Sequence, residues 1–441
     1  MDAAGYAAEA HELHRAGREQ EALASAAAAL RLDPNLPAVW GLIGFLLLKR
    51  GRWAEGEQYL RQGLDLADDA VMRSRLAAAL MEQDKFAEAL DEAEKVLAKG
   101  NSGDAQLMRG QVLCRMGRYS EAISCFEQAI AAGGIGSAAV FALGTSQFLT
   151  GCFDAGITNL KKSKPMQAFI DLPDWDGKPD PELHVVLCGE YGFGDIINFV
   201  RYAHELKKNV GRVTFDVPEQ LAGLLRESFP GFGVHKRGAP LPGDIKARCF
   251  YGDLPYYLGP HAGRAFDAHA ELVPYLRASE EKISFWREKL KDMPRPLIAL
   301  GWAGNPRHQN DRNRSVPFAE LAPLIDLAKP HLISIQRDGR EQAKEAGIFD
   351  ATEFIGDFAD SAALLVCADL TVAVDSAPAH LAGALGLPVI TLLPFDPDWR
   401  WLLGREDTIW YPAMKLYRQE KPKDWSVPLE KLCGDVKKLI G

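Results

Sequence analysis

A chain of 441 residues is too long for a single hydrophobic core, so its length predicts two or three domains. Hydrophobic residues make up 47% of the chain and charged residues 25%, which is an ordinary globular composition and excludes a disordered or fibrous protein. The net charge is −9: residues 1–182 carry 19 basic and 26 acidic side chains and the remainder carries 32 and 34, so the chain lacks the basic stripe that general nucleic-acid binding requires.

The seven cysteines are scattered without CxxC spacing, which is typical of reduced thiols in a cytosolic protein. The N-terminus shows no basic segment followed by an apolar run, so we expect no signal peptide. The longest apolar run, residues 45–48, is far too short to span a bilayer. We therefore expect a cytoplasmic protein without a membrane span.

Residues 1–165 carry an internal repeat with a period of about 34 residues and almost no strand pattern. Aromatic residues mostly follow the turn position of each unit by two places, and small residues follow by five. The turn positions are Gly17, Gly51, Asp84, Gly117 and Gly151. The pattern predicts a solenoid of about five helix–turn–helix units, with less regular units at both ends.

This array resembles the tetratricopeptide repeat, in which a concave groove binds peptide segments. The resemblance implies a protein or peptide partner held in that groove. Self-association of the array into a homo-oligomer is left open.

Residues 166–183 are dense in proline and aspartate, which predicts a linker. Beyond them, strand and helix patterns alternate. The predicted strands are 183–190, 212–217, 297–302, 331–336 and 352–355, and the predicted helices are 195–208, 218–228, 317–328, 340–346 and 360–367. Such alternation predicts parallel sheets with helices on both faces, here as two Rossmann-like halves, residues 184–295 and 296–441, with a cleft between them.

A glycine-rich turn follows the first of these strands and opens a helix. Glu190, Gly192 and Gly194 form a candidate loop for an acceptor or a phosphate, but the third glycine of a dinucleotide fingerprint is absent, which argues against NAD. Asp195 comes next, at the start of the helix. Its carboxylate could cap that helix or act as a general base, and the sequence leaves both roles open.

The loop after residue 302 is crowded with arginine and asparagine before a helix. Guanidinium groups match phosphate oxygens, so Arg312 and Arg314 are candidate phosphate ligands, with Ser315 assisting through its hydroxyl or as a helix cap. A solvated loop without a ligand is the alternative interpretation.

Residues 372–392 read as a strand, a polar turn, a small-residue helix and a second strand. Ligands bind at the carboxyl ends of parallel strands, and helix N-termini there attract anions, so Asp375, Ser376 and His380 are candidate ligand contacts. Either Asp375 or Ser376 could instead cap the helix, and His380 could be structural. Arg400, in the tryptophan-rich segment that follows, is a further candidate phosphate contact.

These motifs, taken as an ordered set, resemble bacterial tetratricopeptide-repeat glycosyltransferases related to the heptosyltransferases, which have the GT-B fold. The quoted segments are Gly-Glu-Tyr-Gly-Phe-Gly-Asp ending at Asp195, Gly-Trp-Ala-Gly-Asn-Pro from Gly301, Asn-Asp-Arg-Asn-Arg-Ser ending at Ser315, Asp-Ser-Ala-Pro-Ala-His from Asp375, and Pro-Asp-Trp-Arg-Trp ending at Trp401. The resemblance covers essentially the whole chain. Heptosyltransferases usually have a Lys-Arg-Trp pattern where this chain has the Asn-Asp-Arg-Asn-Arg loop, and this departure argues against heptose as the sugar.

The resemblance implies an inverting, metal-independent transfer of a hexosyl or deoxyhexosyl group from a UDP- or GDP-sugar, with no cofactor. It implies Asp195 as the catalytic base and a donor site built from Arg312, Arg314, Asp375, Ser376 and His380. The fused repeats suggest a protein or peptide acceptor, and flagellin is one guess. The alternatives are a nucleotide-sugar epimerase and an adaptor whose transferase-like half is inactive.

Overall fold

The computed structural model describes residues 1–100, 102–133, 136–163, 170–189, 192–308 and 310–441. The chain divides into two compact units, Met1–Ser146 and Gln147–Gly441. The first is helical and the second contains two parallel sheets, which confirms the predicted α and α/β classes.

Among the described residues, ten helices precede the first strand. They are α1 (Ala3–Arg15), α2 (Glu19–Leu32), α3 (Pro37–Leu48), α4 (Trp53–Leu66), α5 (Ala70–Glu82), α6 (Phe86–Leu97), α7 (Gly103–Arg115), α8 (Tyr119–Ala132), α9 (Gly136–Leu149) and α10 (Phe153–Lys162). Within the described residues, no helix anywhere in the chain has both the length and the apolarity to cross a bilayer.

The five turns that join these helices in pairs share one backbone geometry. Each predicted turn residue adopts a positive φ: Gly17 (76°), Gly51 (72°), Asp84 (61°), Gly117 (75°) and Gly151 (92°). The N–H of the next residue then returns to a carbonyl five residues earlier, as from Arg18 to Leu13 at 2.9 Å. This bond satisfies a carbonyl that the helix end would leave unpaired, so the repeat period read from the sequence is the period of the turns.

The end of the repeat array packs in the second unit. Phe148, on α9, is fully buried, and its ring centroid lies 4.9 Å from that of Phe153, 5.0 Å from Phe266 and 4.7 Å from Trp399. The sequence placed the end of the repeat domain at residue 165. The compact unit ends earlier, at Ser146, because the aromatic side chains beyond it bury against residues of the α/β region.

The first sheet has four parallel strands in the order β3-β2-β1-β4. The strands are β1 (Asp180–Cys188), β2 (Val210–Val217), β3 (Gly233–Lys236) and β4 (Ala247–Phe250). The accompanying helices are α11 (Phe193–Phe199), α12 (Ala203–Asn209), α13 (Glu219–Ser228), α14 (Leu254–Leu258) and α15 (Glu280–Lys289).

The second sheet has six parallel strands in the order β10-β9-β8-β5-β6-β7. The strands are β5 (Ile298–Gly301), β6 (Leu332–Ser334), β7 (Phe349–Asp350), β8 (Leu370–Val374), β9 (Val389–Leu393) and β10 (Met414–Arg418). The helices are α16 (Asp311–Arg314), α17 (Ala322–Ala328), α18 (Arg340–Ala346), α19 (Phe358–Cys367), α20 (Ala377–Ala384) and α21 (Ser426–Ile440).

Two predicted elements were wrong in detail. Residues 352–355 are not a strand: β7 is only two residues long, and a 3-10 turn follows at Ala351–Phe354. The carboxylate of Asp350 causes the turn, because it accepts hydrogen bonds from the N–H and the hydroxyl of Thr352 at 3.0 and 2.6 Å. The predicted helix 195–208 is interrupted by a 3-10 segment at Val200–Tyr202, which separates α11 from α12.

That 3-10 segment carries Arg201, which is 1% exposed. Its Nε donates to the carbonyl of Asn198 at 2.9 Å, and its Nη1 donates to those of Ala268 and Trp410 at 3.0 and 2.8 Å. Its Nη2 donates to the hydroxyl of Tyr275 at 3.1 Å. One buried guanidinium therefore ties the helix after β1 to the segment before β10.

Gly383 on α20 tests this packing, because a Cβ added there would lie 2.5 Å from the ring of the buried Tyr411. We predict that Gly383→Ala lowers the free energy of unfolding by about 1–3 kcal/mol through overpacking. The control is Gly434→Ala on α21, where an added Cβ meets nothing within 4 Å. That change should raise the stability by about 0.5–1 kcal/mol, since alanine restricts the unfolded chain. Urea unfolding measures both, and equal effects would contradict the packing of α20 on Tyr411.

Candidate functional site

The predicted site residues all follow the carboxyl ends of strands. The glycine turn and Asp195 follow β1, the arginine loop follows β5, Asp375 follows β8 and Arg400 lies beyond β9. Helix α11, from the first sheet, packs against α20, from the second. The strand ends of the two halves therefore face each other across these helices, which is where ligands of α/β proteins bind.

Asp195 lies in the first turn of α11 and is bonded at both carboxylate oxygens. Oδ2 accepts from the N–H of Gly192 at 3.1 Å, which caps the helix. Oδ1 forms an ion pair with Nη2 of Arg400. Burial raises the pKa of Asp195 above its ordinary value, and the positive charge of Arg400 only partly offsets this effect. Asp195 is thus a helix cap and an ion-pair partner at once.

Arg400 is the cation at the centre of this arrangement, and its side chain is 10% exposed. Its Nη1 donates to Oδ1 of Asp398 at 2.7 Å, and Nε is buried without a partner. The guanidinium lies 4.3 Å from the ring of Trp399 and 5.3 Å from that of Phe199. Burial opposes its charge, but Asp195 and Asp398 outweigh that effect and raise the pKa of Arg400 further above its ordinary value.

Arg314 organises the loop after β5. Its Nε contacts Oδ1 of Asp311 at 3.2 Å and its Nη1 donates to the carbonyl of Asp375 at 2.9 Å. The side chain covers Gly304, where a Cβ would lie 2.5 Å from Nη2. Ser315 accepts from the N–H of Gly304 at 3.0 Å. The loop is therefore held in one conformation against the end of β8.

Asp375 and Ser376 do not cap α20 through their side chains. Ser376 is the N-cap residue, but its Oγ donates back to the carbonyl of Val374 at 3.0 Å. Asp375 is 9% exposed, and burial, aided by the charge of Asp398, raises its pKa to about 6. The first turn of α20 therefore has no side-chain cap, which leaves its N-terminus suited to an anion.

His380 is 5% exposed on the first turn of α20. Its Nδ1 is 2.9 Å from the hydroxyl of Tyr411, and its ring stacks on Trp401 at a centroid distance of 5.0 Å. Gly194 of α11 packs on the other side, where a Cβ would lie 2.8 Å from the imidazole. Burial and the charge of Arg400 hold the pKa of His380 well below its ordinary value, so the ring is neutral.

The structure brings Asp195, Arg400 and His380 together with Asp375 and Arg314. Arg312 is exposed on α16, and Gly192 acts through its N–H to Asp195. Glu190 lies outside the described residues.

Sequence reasoning missed two contacts of this site, both long-range or hidden in a loop. Asp398 holds Arg400 by its N–H and its guanidinium, at 3.0 and 2.7 Å. The Asp-x-Arg spacing at 398–400 was the only sequence signal for it. Tyr411, the partner of His380, is 31 residues away in the chain and left no signal.

Among the described residues, one group has metal-ligand spacing. The ligand atoms of Asp267, His269 and Glu271 all lie within 4.8 Å of one another. None of these residues belongs to the candidate site, for which metal independence stays a prediction.

Two family models match the chain. Residues 50–143 match the tetratricopeptide repeat-like domain, and residues 356–399 match glycosyltransferase family 9 (heptosyltransferase). The matches indicate a tetratricopeptide-repeat-like segment followed by a segment similar to glycosyltransferase family 9. The chain is also similar to protein FlbA of Caulobacter vibrioides, with 22% identity over 442 residues, which cover 94% of this chain and 69% of the relative.

Among solved structures, parts of the chain are similar to several proteins. Three of them are MamA (21% identity, 35% of this chain and 91% of that chain, TM-score 0.32), YrrB, described as a TPR protein with an unusual peptide-binding site (20%, 37% and 84%, 0.32), and PilW, a type IV pilus biogenesis factor (21%, 36% and 76%, 0.35).

The pKa of Asp375 predicts how the free energy of unfolding of the protein varies with pH. Its folded-state pKa, about 6, lies above the ordinary value of 3.8, so the native state favours the protonated carboxyl. Its contribution of about 3 kcal/mol is complete only well below pH 3.8 and is lost as the pH rises through 6. Asp375→Asn has no proton to lose. We therefore expect its free energy of unfolding to gain about 2 kcal/mol on the unsubstituted protein between pH 4 and pH 7.

Urea unfolding at the two pH values measures this difference. Glu430→Gln, at an exposed position on α21, is the control and should show no pH-dependent gain. If the Asp375→Asn gain were the same at pH 4 and pH 7, the carboxyl would not be buried as described.

Proposed function

We propose that the α/β region is an inverting, metal-independent glycosyltransferase that moves a sugar from a nucleotide-sugar to a hydroxyl acceptor. The match to glycosyltransferase family 9 supports glycosyl transfer in general. The observation that carries the specific proposal is the pairing of Asp195, from the first sheet, with Arg400, from the second. It sets a carboxylate and a guanidinium side by side at the strand ends.

In the proposed reaction, Asp195 takes the proton of the acceptor hydroxyl while that oxygen attacks the anomeric carbon. The bond from the anomeric carbon to the diphosphate oxygen breaks, and the diphosphate leaves with the electron pair. Arg400, Arg312 and Arg314 offset its charge, and the positive end of the α20 helix dipole, which has no side-chain cap, adds to this effect. Attack opposite the leaving group inverts the configuration of the sugar.

We propose a UDP- or GDP-sugar carrying a hexosyl or deoxyhexosyl group as the donor, and no cofactor. Asp375, Ser376 and His380 would line its site. We propose that the acceptor is a protein or peptide recruited by the repeat array, since the tetratricopeptide repeat-like domain indicates protein interaction. A flagellin is one acceptor of this class.

An adaptor without catalytic activity is the second candidate. One observation favours it: both oxygens of Asp195 are already bonded, to Gly192 and Arg400. In an adaptor this pair would be purely structural. Binding of a nucleotide-sugar therefore separates the two functions.

Titration calorimetry with UDP-, GDP- and CMP-sugars tests donor binding, and we expect at least one of the UDP- and GDP-sugars to bind. Asp195→Asn should keep that binding but lower the turnover number for transfer by roughly 10²–10⁴-fold, because it removes the base. Asp326→Asn, at an exposed position on α17, should leave turnover unchanged. Undiminished transfer by Asp195→Asn would exclude the base assignment, and failure of every donor to bind would favour the adaptor.

A further inference from the structure

The arginine forks of this chain show what a complete guanidinium pairing looks like. Arg118 holds both oxygens of Glu121 through Nε and Nη2, each at 2.7 Å. Arg405 holds Asp407 in the same way, again at 2.7 Å for both contacts. Two parallel hydrogen bonds along this edge are the geometry in which guanidinium binds carboxylate or phosphate most strongly.

Arg400 uses only one of the two nitrogens, Nε and Nη2, that form this edge of the guanidinium. Its Nη2 pairs with Oδ1 of Asp195, but its Nε is buried and has no partner. Its third nitrogen, Nη1, is held by Asp398. A group with two oxygens side by side would fill the Nε–Nη2 edge, and the single oxygen that Asp195 offers does not.

The ion pair with Arg400 also restricts the carboxylate of Asp195. Oδ1 accepts from Arg400 and Oδ2 accepts from the N–H of Gly192, and the positive charge beside Oδ1 weakens that oxygen as a base. The base proposed above therefore becomes stronger when Arg400 changes partner.

We propose that Arg400 exchanges Asp195 for two oxygens of the donor diphosphate, so that donor binding frees the base. The exchange rests on the proposed glycosyltransferase function. It makes the reaction ordered, with the donor bound before the acceptor is deprotonated.

The exchange leaves the other contacts of both side chains in place. Asp398 keeps Nη1, and the rings of Trp399 and Phe199 keep the guanidinium plane in place. Asp195 keeps its bond to the N–H of Gly192, so its orientation is retained while Oδ1 is released. Only the partner of the Nε–Nη2 edge changes.

Asp195 competes with the diphosphate for Arg400, so removing its carboxylate should strengthen diphosphate binding. Calorimetric titration with UDP and GDP, which need no acceptor, measures this directly. Asp195→Asn is expected to tighten the nucleotide that binds by roughly fivefold or more, since it removes the group that competes for Arg400. If this variant does not fold, Asp195→Ser makes the same test.

Two matched variants distinguish competition for Arg400 from a general effect of removing a negative charge. Asp398→Asn removes the same charge beside the same guanidinium but spares the competitor, so its tightening should be clearly smaller. Asp407→Asn, at the exposed end of the Arg405 fork, should change nothing. Equal tightening by Asp195→Asn and Asp398→Asn would overturn the exchange and leave the proposed function standing.

Arg400→Lys tests the fork itself, because lysine keeps the charge but cannot present two parallel donors. We expect it to weaken nucleotide binding roughly tenfold. Unchanged affinity in this variant would show that charge alone matters and would overturn the exchange. No binding of UDP or GDP by the unsubstituted protein or any variant would overturn the proposed function, and the exchange with it.

Discussion

The geometry of the candidate site depends on the burial of Arg201. A guanidinium removed from water must have its N–H groups paired, since an unpaired buried charge is strongly unfavourable. The partners of Arg201 are the carbonyls of Asn198, Ala268 and Trp410 and the hydroxyl of Tyr275. Carbonyls can satisfy it only if α11 and the segment before β10 stay where they are. This requirement sets Asp195, one turn before Asn198, beside the segment that carries Arg400.

The candidate site has more carboxylates than buried or half-buried guanidinium groups among the described residues. Four carboxylates, those of Asp195, Asp311, Asp375 and Asp398, interact with the guanidiniums of Arg314 and Arg400. Burial raises the pKa values of Asp195 and Asp375, and the negative charge of Asp398 raises them further. An incoming anion is therefore not drawn by net charge. It must find specific donors, which here are the unfilled edge of Arg400 and the uncapped start of α20.

The sequence predicted the parts of the molecule that local chemistry decides. The turn glycines and Asp84 marked the repeat period, since a positive φ is a local requirement that few residues meet. The unit from β8 through α20 to β9 was also predicted, because buried parallel strands leave long apolar runs.

What the sequence did not show depends on distant partners. Asp195 and Arg400 are 205 residues apart, so their ion pair could not be read from spacing, although both were candidate site residues. Strand 352–355 was mispredicted because the turn bonds of Asp350 outweigh the strand preference of the residues after it. In the same way, Phe148 has the pattern of a repeat residue but buries against Phe266 and Trp399.

Phe148 also connects the repeat sequence to the chemistry of the site. Its ring meets that of Trp399 edge-on at 4.7 Å, and Trp399 is the surface on which the Arg400 guanidinium lies, at 4.3 Å. Phe199 stacks on Trp399 from α11 at 6.3 Å. The orientation of Arg400 therefore depends on an aromatic cluster with one member from α9, one from α11 and one from the loop after β9. Residues 147–162 belong to the same compact unit as the α/β region, and Phe148, Ile157 and Leu160 are part of its core.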